Sequence, residues 1–586
     1  MTVQEALNRA DALLNEYVKS PSAAKLPGLR EAIDLYGAVL NVLDENAYPE
    51  TWAVTMNNLA TAYSNLPTGD RAENLRRAIA CYAAALRVQT PEQLPVDCLR
   101  TLHNLGSLYF GQGDWQNALA ASLQAVETTE QIRWVALSET ERRRVFQEAH
   151  VVFERAILCS LRTAKYDLAL TLIERGKSRN LADHLWQREI KPNGVLEEAW
   201  KTYQGRLMIA REIERILSTP SSSGMAPSDR AGAVPVRETL DQLRALRQEI
   251  SECEARFREA DPNYLPFARP LELKEIGALA SAADSVLIVF RVTQEGSYLF
   301  LLGPKEKEIT PDQVVSLREF GDEALGRMLI ETENGAPTGG WLVKYELFRT
   351  GQLSSWEWLA CVEETTRALY ERLLTPLHQR LQARYPEARR LILIPNKGLN
   401  LLPLHAGWWE ENGERRALLD DYEISYAPSC QVLKRCLSRE PAYGAPAANL
   451  FAVQNPDGTL PFPDWEVEEV SKFFGDEHQL ILRGPEATEE GVKERMTFGE
   501  EKLFSCHGVF DLNDVEQSRL ELHGGGRLSV RDIVPIDLKG TWLVVMSACE
   551  TGLTDHRDLI DEYQGFPSAF LVAGGGDGDP LPLGGR

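Results

Sequence analysis

A stretch that repeats itself constrains this 586-residue chain more than any other feature. Ala32, Ile33 and Tyr36 recur 46 residues later as Ala78, Ile79 and Tyr82. The same offset relates Leu40 to Leu86, Pro49 to Pro95, Thr55 to Thr101, Asn58-Leu59 to Asn104-Leu105, and Tyr63 to Tyr109. Within each unit the apolar and small positions fall at helical spacing, as in Leu59, Ala62 and Tyr63. A repeated helix pair buries its apolar face only by stacking on the next pair. The region therefore predicts an all-α solenoid with a concave groove.

A third unit opens at Gly113-Asp114-Trp115 and carries Ala118 and Leu119 on a helix running toward Val126. A fourth begins at Lys165-Tyr166, after a long helix over 139–163. The pattern resembles tetratricopeptide repeats, whose paired helices put a small residue and an aromatic where neighbours touch. The period exceeds the usual ~34 residues of that family, so long loops are expected between repeats. The array is expected to span 1–170. Residues 171–265 predict a helical bridge, a charged hairpin with a flexible Ser/Pro/Gly-rich loop at about 218–235.

Beyond residue 266 the period changes. Ser285–Phe290 and Tyr298–Leu302 flank Gln294-Glu-Gly-Ser and predict a β-hairpin. A helix is expected over 359–384, and then Arg390–Pro395 as a buried parallel strand. Strands at Leu450–Val453, Leu480–Leu482, Lys502–Ser505 and Thr541–Ser547 follow, with helices over 464–474 and 487–495 between them. Strand–helix alternation predicts an α/β domain with a mostly parallel sheet flanked by helices. In such sheets the chemistry sits at the carboxyl ends of the strands.

Two strand ends carry reactive side chains. Phe504-Ser-Cys-His507-Gly508 runs an apolar strand into a His-Gly pair, and Val545-Met-Ser-Ala-Cys549-Glu-Thr-Gly552 runs one into a cysteine. If these strands are parallel neighbours, both side chains emerge at one edge. A thiol needs a nearby base or cation to populate its thiolate, and an imidazole supplies either. The N–H groups of Gly508 and Cys549 are the candidate donors to an oxyanion.

These two segments resemble the CHAT family, the caspase-like domains related to separase and the caspases. The resemblance extends through Leu391–Pro403-Leu-His405, Asp420–Ser429, Ser518–Leu522 and Asp561–Phe570. It implies a caspase-like protease domain over 266–573, behind the tetratricopeptide array common in such proteins. It further implies a cysteine endopeptidase with Cys549 as nucleophile, His507 as general base and acid, and the backbone of Gly508 and Cys549 as oxyanion hole. Neither metal nor cofactor is implied. Bacterial members are often associated with defence or regulated cell death, and the resemblance carries that expectation too.

Neighbouring residues receive plainer expectations. Cys506 should point to the opposite face from His507 and join the core. His405 is expected to be structural, and His523 and His556 solvated. Asp555, Asp558, Asp561 and Glu562 crowd the segment after Cys549, either as an acidic surface loop or as a pocket for Arg or Lys. After Ala573 the chain reads Gly574-Gly-Gly-Asp-Gly-Asp-Pro through Arg586 where the family resumes with a strand. The expectation is an irregular tail over 574–586 and a truncated domain, with a sheet edge exposed beside the Cys549 strand.

Composition narrows the partners. With 63 Lys and Arg against 86 Asp and Glu, net −23, the chain is no general nucleic-acid binder. Its apolar runs are too short to span a bilayer and its start lacks a signal-peptide pattern. Nine scattered cysteines without a CxxC pair fit a reducing cytoplasm. The expected partners are a protein or peptide substrate and a protein regulator bound by the repeats. The competing expectations are a catalytically silent scaffold working through its repeats, and an adaptor whose C-terminal domain mediates self-assembly.

Overall fold

The computed structural model describes residues 2–135, 139–177, 194–218, 236–260, 271–304, 306–333, 336–437, 449–511, 514–538, 540–551 and 565–574. The chain divides into two compact units, Met1–Leu172 and Ile173–Arg586.

The first unit is helical throughout. Its elements are α1 (Val3–Lys19), α2 (Leu26–Leu40), α3 (Pro49–Asn65), α4 (Arg71–Leu86), α5 (Pro95–Gly111), α6 (Trp115–Val135), α7 (Glu139–Arg162) and the start of α8 (Tyr166–Gly176). The repeated residues do repeated work. Ala32 and Tyr36 on α2 are fully buried, as are Ala78 and Tyr82 on α4. The Tyr36 hydroxyl donates to Asp11 at 2.6 Å, and Tyr82 shares a 3.0 Å hydrogen bond with Thr61. Asn58 and Asn104 each donate to a side chain 47 residues back, Asp11 and Asn57. Pro49 and Pro95 open α3 and α5, where the missing N–H costs nothing. Eight-residue loops, 41–48 and 87–94, account for the long period.

In the second unit α9 (Glu197–Ser218) and α10 (Val236–Ala260) form a helical hairpin packed through Trp200, Tyr203, Leu243 and Phe257. The flexible loop expected at 218–235 falls, after Ser218, outside the described residues.

Two sheets follow. The first has the order β3-β2-β1-β4-β5, built from β1 (Val286–Thr293), β2 (Gly296–Leu302), β3 (Val314–Leu317), β4 (Arg390–Ile394) and β5 (Glu423–Tyr426). The two-residue turn between β1 and β2 makes that pair antiparallel, while β1, β4 and β5 run parallel. The second sheet is parallel throughout, in the order β7-β6-β8-β9. Its strands are β6 (Leu450–Gln454), β7 (Gln479–Arg483), β8 (Glu501–Ser505) and β9 (Leu543–Ser547). Parallel pairing thus dominates the centre of these two sheets, while the three smaller sheets among the described residues are antiparallel.

Helices flank both sheets. Near the first lie α11 (Trp341–Arg349), α12 (Ser355–Leu369) and α13 (Thr375–Arg384). The single helix expected over 359–384 is broken by a π-turn at Tyr370–Leu374, next to Pro376, which lacks the N–H to continue a regular ladder. In the second sheet α14 (Pro463–Ser471) packs through Val467 on Leu450, Ala452 and Leu503. On the opposite face α15 (Phe566–Ala573) joins Phe451, Phe504 and Cys506.

Alternation sorts the residues of β8 and β9. Phe504 and Cys506 enter one core, with Val544, Met546 and Ala548 of the neighbouring strand. Leu503 takes the other face, under α14. On β9 the matching residues Leu543 and Val545 are 37% and 43% exposed, and β9 is the last strand of its sheet among the described residues. Among the described residues no helix is long and apolar enough to cross a membrane.

Lys502 is a buried cation in β8. Its ammonium donates to the carbonyls of Phe498 and Gly499 at 2.9 Å each, and burial pushes its pKa down to about 8, against the opposing charge of Glu500. The unfolded chain keeps this proton up to the ordinary value of 10.5, so between about 8 and 10.5 the unfolded state binds more protons and Lys502 adds stability as pH rises. Urea midpoints at pH 8 and pH 10 should therefore show a more positive pH slope in wild type than in Lys502→Met.

Candidate active site

Neighbouring parallel strands bring the two reactive side chains to one place. Ser505 pairs with Ser547, the last residues of β8 and β9, and Gln454 ends β6 in register on the other side of Ser505. His507 and Cys549 each lie two residues beyond that row, so both leave the sheet at its carboxyl edge. The residues just before them, Cys506 and Ala548, both pack into the core that holds Phe504. Cys549 is exposed and the His507 side chain is 40% exposed.

Gly508 holds the two strand ends together. A Cβ there would sit 2.3 Å from the Cys549 carbonyl oxygen and 3.1 Å from Thr551 Cγ2. Only glycine permits this approach. Gly508 also begins a short antiparallel ladder, pairing with Leu520, and the Glu521 N–H donates to the His507 carbonyl at 2.9 Å. That pattern makes Gly508 a non-hydrogen-bonded position, with its N–H directed away from Leu520. Two residues on, the Phe510 N–H has the same direction, and it meets the Glu550 carboxylate at 2.6 Å. The Gly508 N–H thus looks toward the side that the Cys549 turn occupies.

The turn after β6 reaches His507. Thr459 Oγ1 lies 2.8 Å from His507 Nε2 and 2.9 Å from both Asp457 carboxylate oxygens. The threonine has one proton to give and the carboxylate can only accept, so Thr459 donates to Asp457 and accepts Nε2–H from His507. The neutral ring then carries its lone pair on Nδ1. Partial burial would raise the Asp457 carboxyl, but the Thr459 N–H and hydroxyl, with the charge of His507, hold it below the usual carboxylate range. Asp457 Oδ2 stands 3.8 Å from Nε2. Among the described residues no hydrogen bond joins His507 to Cys549.

Other expectations resolve one by one. Cys506 is buried in the core, and burial pushes its thiol up to about 12. His405 is structural: Nδ1 bonds the Tyr426 hydroxyl at 2.9 Å, and burial lowers its pKa. His523 differs from its expectation. It is partly buried and bonds the Pro456 carbonyl at 2.9 Å, so it anchors the turn that carries Asp457 and Thr459. Asp555, Asp558, Asp561, Glu562 and His556 lie outside the described residues, as does the tail after Gly574. Among the described residues no cluster of His, Cys, Asp or Glu could hold a metal ion.

Glu550 was not singled out from the sequence. Its side chain is 8% exposed and its backbone sits at φ 62°, a left-handed conformation that costs a residue other than glycine about 1–2 kcal/mol. Its Oε1 accepts from the Tyr345 hydroxyl of α11 at 2.7 Å, and its Oε2 takes the Phe510 N–H. Burial and then the Glu550 hydrogen bond push the Tyr345 hydroxyl above its ordinary pKa.

Family models match two regions, residues 363–576 to the CHAT domain and residues 98–132 to a tetratricopeptide repeat. The chain carries a CHAT domain. The matched span takes in β4 to β9 and leaves β1 to β3 and α11 outside. The repeat match covers most of α5 and α6. Among solved structures the chain is similar to the Saccharomyces cerevisiae separase–securin complex, at 10% identity and a TM-score of 0.31, over 98% of this chain and 49% of that one. It thus spans about half the length of that chain. It is also similar to a de novo designed helical repeat protein, at 20% identity and a TM-score of 0.11, over 44% of this chain and 95% of that one. No curated protein matches the chain.

Two outcomes check this geometry. Gly508→Ala must push backbone away from backbone and should cost about 1–3 kcal/mol, read as a lower urea midpoint. In the folded CHAT domain iodoacetamide should alkylate Cys549 well before Cys506, read by peptide mass spectrometry; equal labelling would contradict the burial of Cys506.

Proposed function

We propose that this chain is a cysteine endopeptidase, with residues 266–573 as its catalytic domain and 1–170 as a docking array. The observation that carries the reading is the register of β8 with β9, which sets His507 and Cys549 equally far beyond Ser505 and Ser547 at one edge of the sheet. His507 takes the thiol proton and the Cys549 thiolate attacks the peptide carbonyl carbon. The N–H groups of Gly508 and Cys549 stabilise the resulting oxyanion. The imidazolium then protonates the leaving amine, leaving an acyl-thioester. Water, deprotonated by His507, attacks that ester, releases the carboxylic acid and restores the thiol. Thr459, itself bonded to Asp457, orients the ring.

The acidic charges of Asp555, Asp561 and Glu562 in the sequence favour, in this reading, cleavage after Arg or Lys. The repeat array recruits a protein regulator or the substrate itself. Regulation is part of this reading because His507 rests on Thr459 instead of Cys549. The same observation favours a second reading, a silent scaffold acting through its repeats.

Incubating the full chain with a proteome-derived peptide library, with and without cell extract, separates the two. Cleavage by wild type should vanish in Cys549→Ala and fall about 10²–10⁴-fold in His507→Ala. Identical products from wild type and Cys549→Ala under both conditions would leave only the scaffold. If cleavage occurs, the combined variant Asp555→Asn, Asp561→Asn and Glu562→Gln should lose any preference for Arg and Lys.

A further inference from the structure

The turn that bears Cys549 is held from two sides by one carboxylate. Glu550 receives the Phe510 N–H from the segment that also carries His507 and Gly508, and the Tyr345 hydroxyl from α11. The first contact joins the cysteine turn to the histidine segment. The second joins it to a helix outside the matched CHAT span, 205 residues away in sequence. Arg349, also on α11, lies 4.0 Å from the same carboxylate and adds a cation.

The backbone argues that the side chain is there for these contacts. At φ 62° glycine would be the unstrained choice. Glutamate brings strain, and the side chain it adds is almost wholly buried in two short hydrogen bonds. Strain kept next to a reactive residue points to a positional role.

We propose that Glu550 is the positioning residue of the Cys549 turn, and that α11, through Tyr345, sets where the thiol stands relative to His507. The proposal rests on the His507–Cys549 dyad reading. Without the carboxylate, the Phe510 N–H and the Tyr345 hydroxyl lose their common acceptor, and the 548–551 turn is free to drift from the 507–510 segment. Glutamine can replace glutamate here. Its carbonyl oxygen accepts from Phe510, and its amide donates to the Tyr345 oxygen, which is both donor and acceptor. Glycine would relieve the backbone and lose both bonds.

The test needs no substrate. Cys549 alkylation by iodoacetamide is followed by peptide mass spectrometry between pH 6 and pH 9 in the full chain. Wild type is compared with His507→Ala, Glu550→Gly, Glu550→Gln and Tyr345→Phe, with a thermal melt of each. At pH 7 His507→Ala is expected to slow alkylation about tenfold. Glu550→Gly should reproduce most of that loss and its altered pH profile without a lower melting temperature, while Glu550→Gln keeps the wild-type profile. A slow His507→Ala beside a wild-type Glu550→Gly overturns the positioning role and leaves the dyad standing. A wild-type rate in His507→Ala overturns the dyad and this proposal with it. If Glu550→Gly does not fold, Tyr345→Phe decides: slower Cys549 alkylation at an unchanged melting temperature supports the tether, and an unchanged rate overturns it.

Discussion

The parallel pairing of β8 with β9 decides where the chemically interesting atoms of the second unit lie. Side chains alternate along each strand, so the register Ser505 to Ser547 settles two things together. It brings His507 and Cys549 to the same edge, and it sends Cys506 and Ala548, the residues before them, into one core. A slip of one residue would turn His507 toward that core and lift both Phe504 and Cys506 out of it. The apolar residues of the two strands enforce that register, because Phe504, Val544 and Met546 fill the space beneath α15. Gly508 then closes the gap that the pairing leaves.

Much of this was legible in the sequence, and the reason is physical. Helices that stack must place small and aromatic residues at fixed intervals, so Ala32 and Tyr36 announce themselves again as Ala78 and Tyr82. Strand ends are marked by apolar runs breaking into polar or glycine residues, which flagged His507 and Cys549. Alternation alone assigned Cys506 to the core. The π-turn at Tyr370–Leu374 was harder, since its helical periodicity reads as one uninterrupted helix on either side of Pro376.

The supporting residues escaped for a different reason. Thr459 meets His507 across 48 residues and Tyr345 meets Glu550 across 205. No local period links such partners; only the folded sheet brings them together. Asn455-Pro-Asp457-Gly-Thr459 has the residues of a turn after an apolar strand, but nothing local says that this turn lies beside β8. His523, taken for a solvated residue, is instead part of the scaffolding of that turn. Glu550 lies inside the motif, but both of its partners, Phe510 and Tyr345, are distant in sequence.

One feature of the second sheet has a thermodynamic side. β6 and β8 are almost wholly buried, whereas β9 alternates between half-covered and open positions. Its share of the apolar core is therefore the smallest of the three adjoining strands, and so is its share of the protection that core confers against local opening. The sulfur consequently belongs to the part of the sheet whose amide protons should exchange first. Order at this strand is cheap to lose and equally cheap to add, because any surface that covers Leu543 and Val545 gains burial energy while it steadies the thiol.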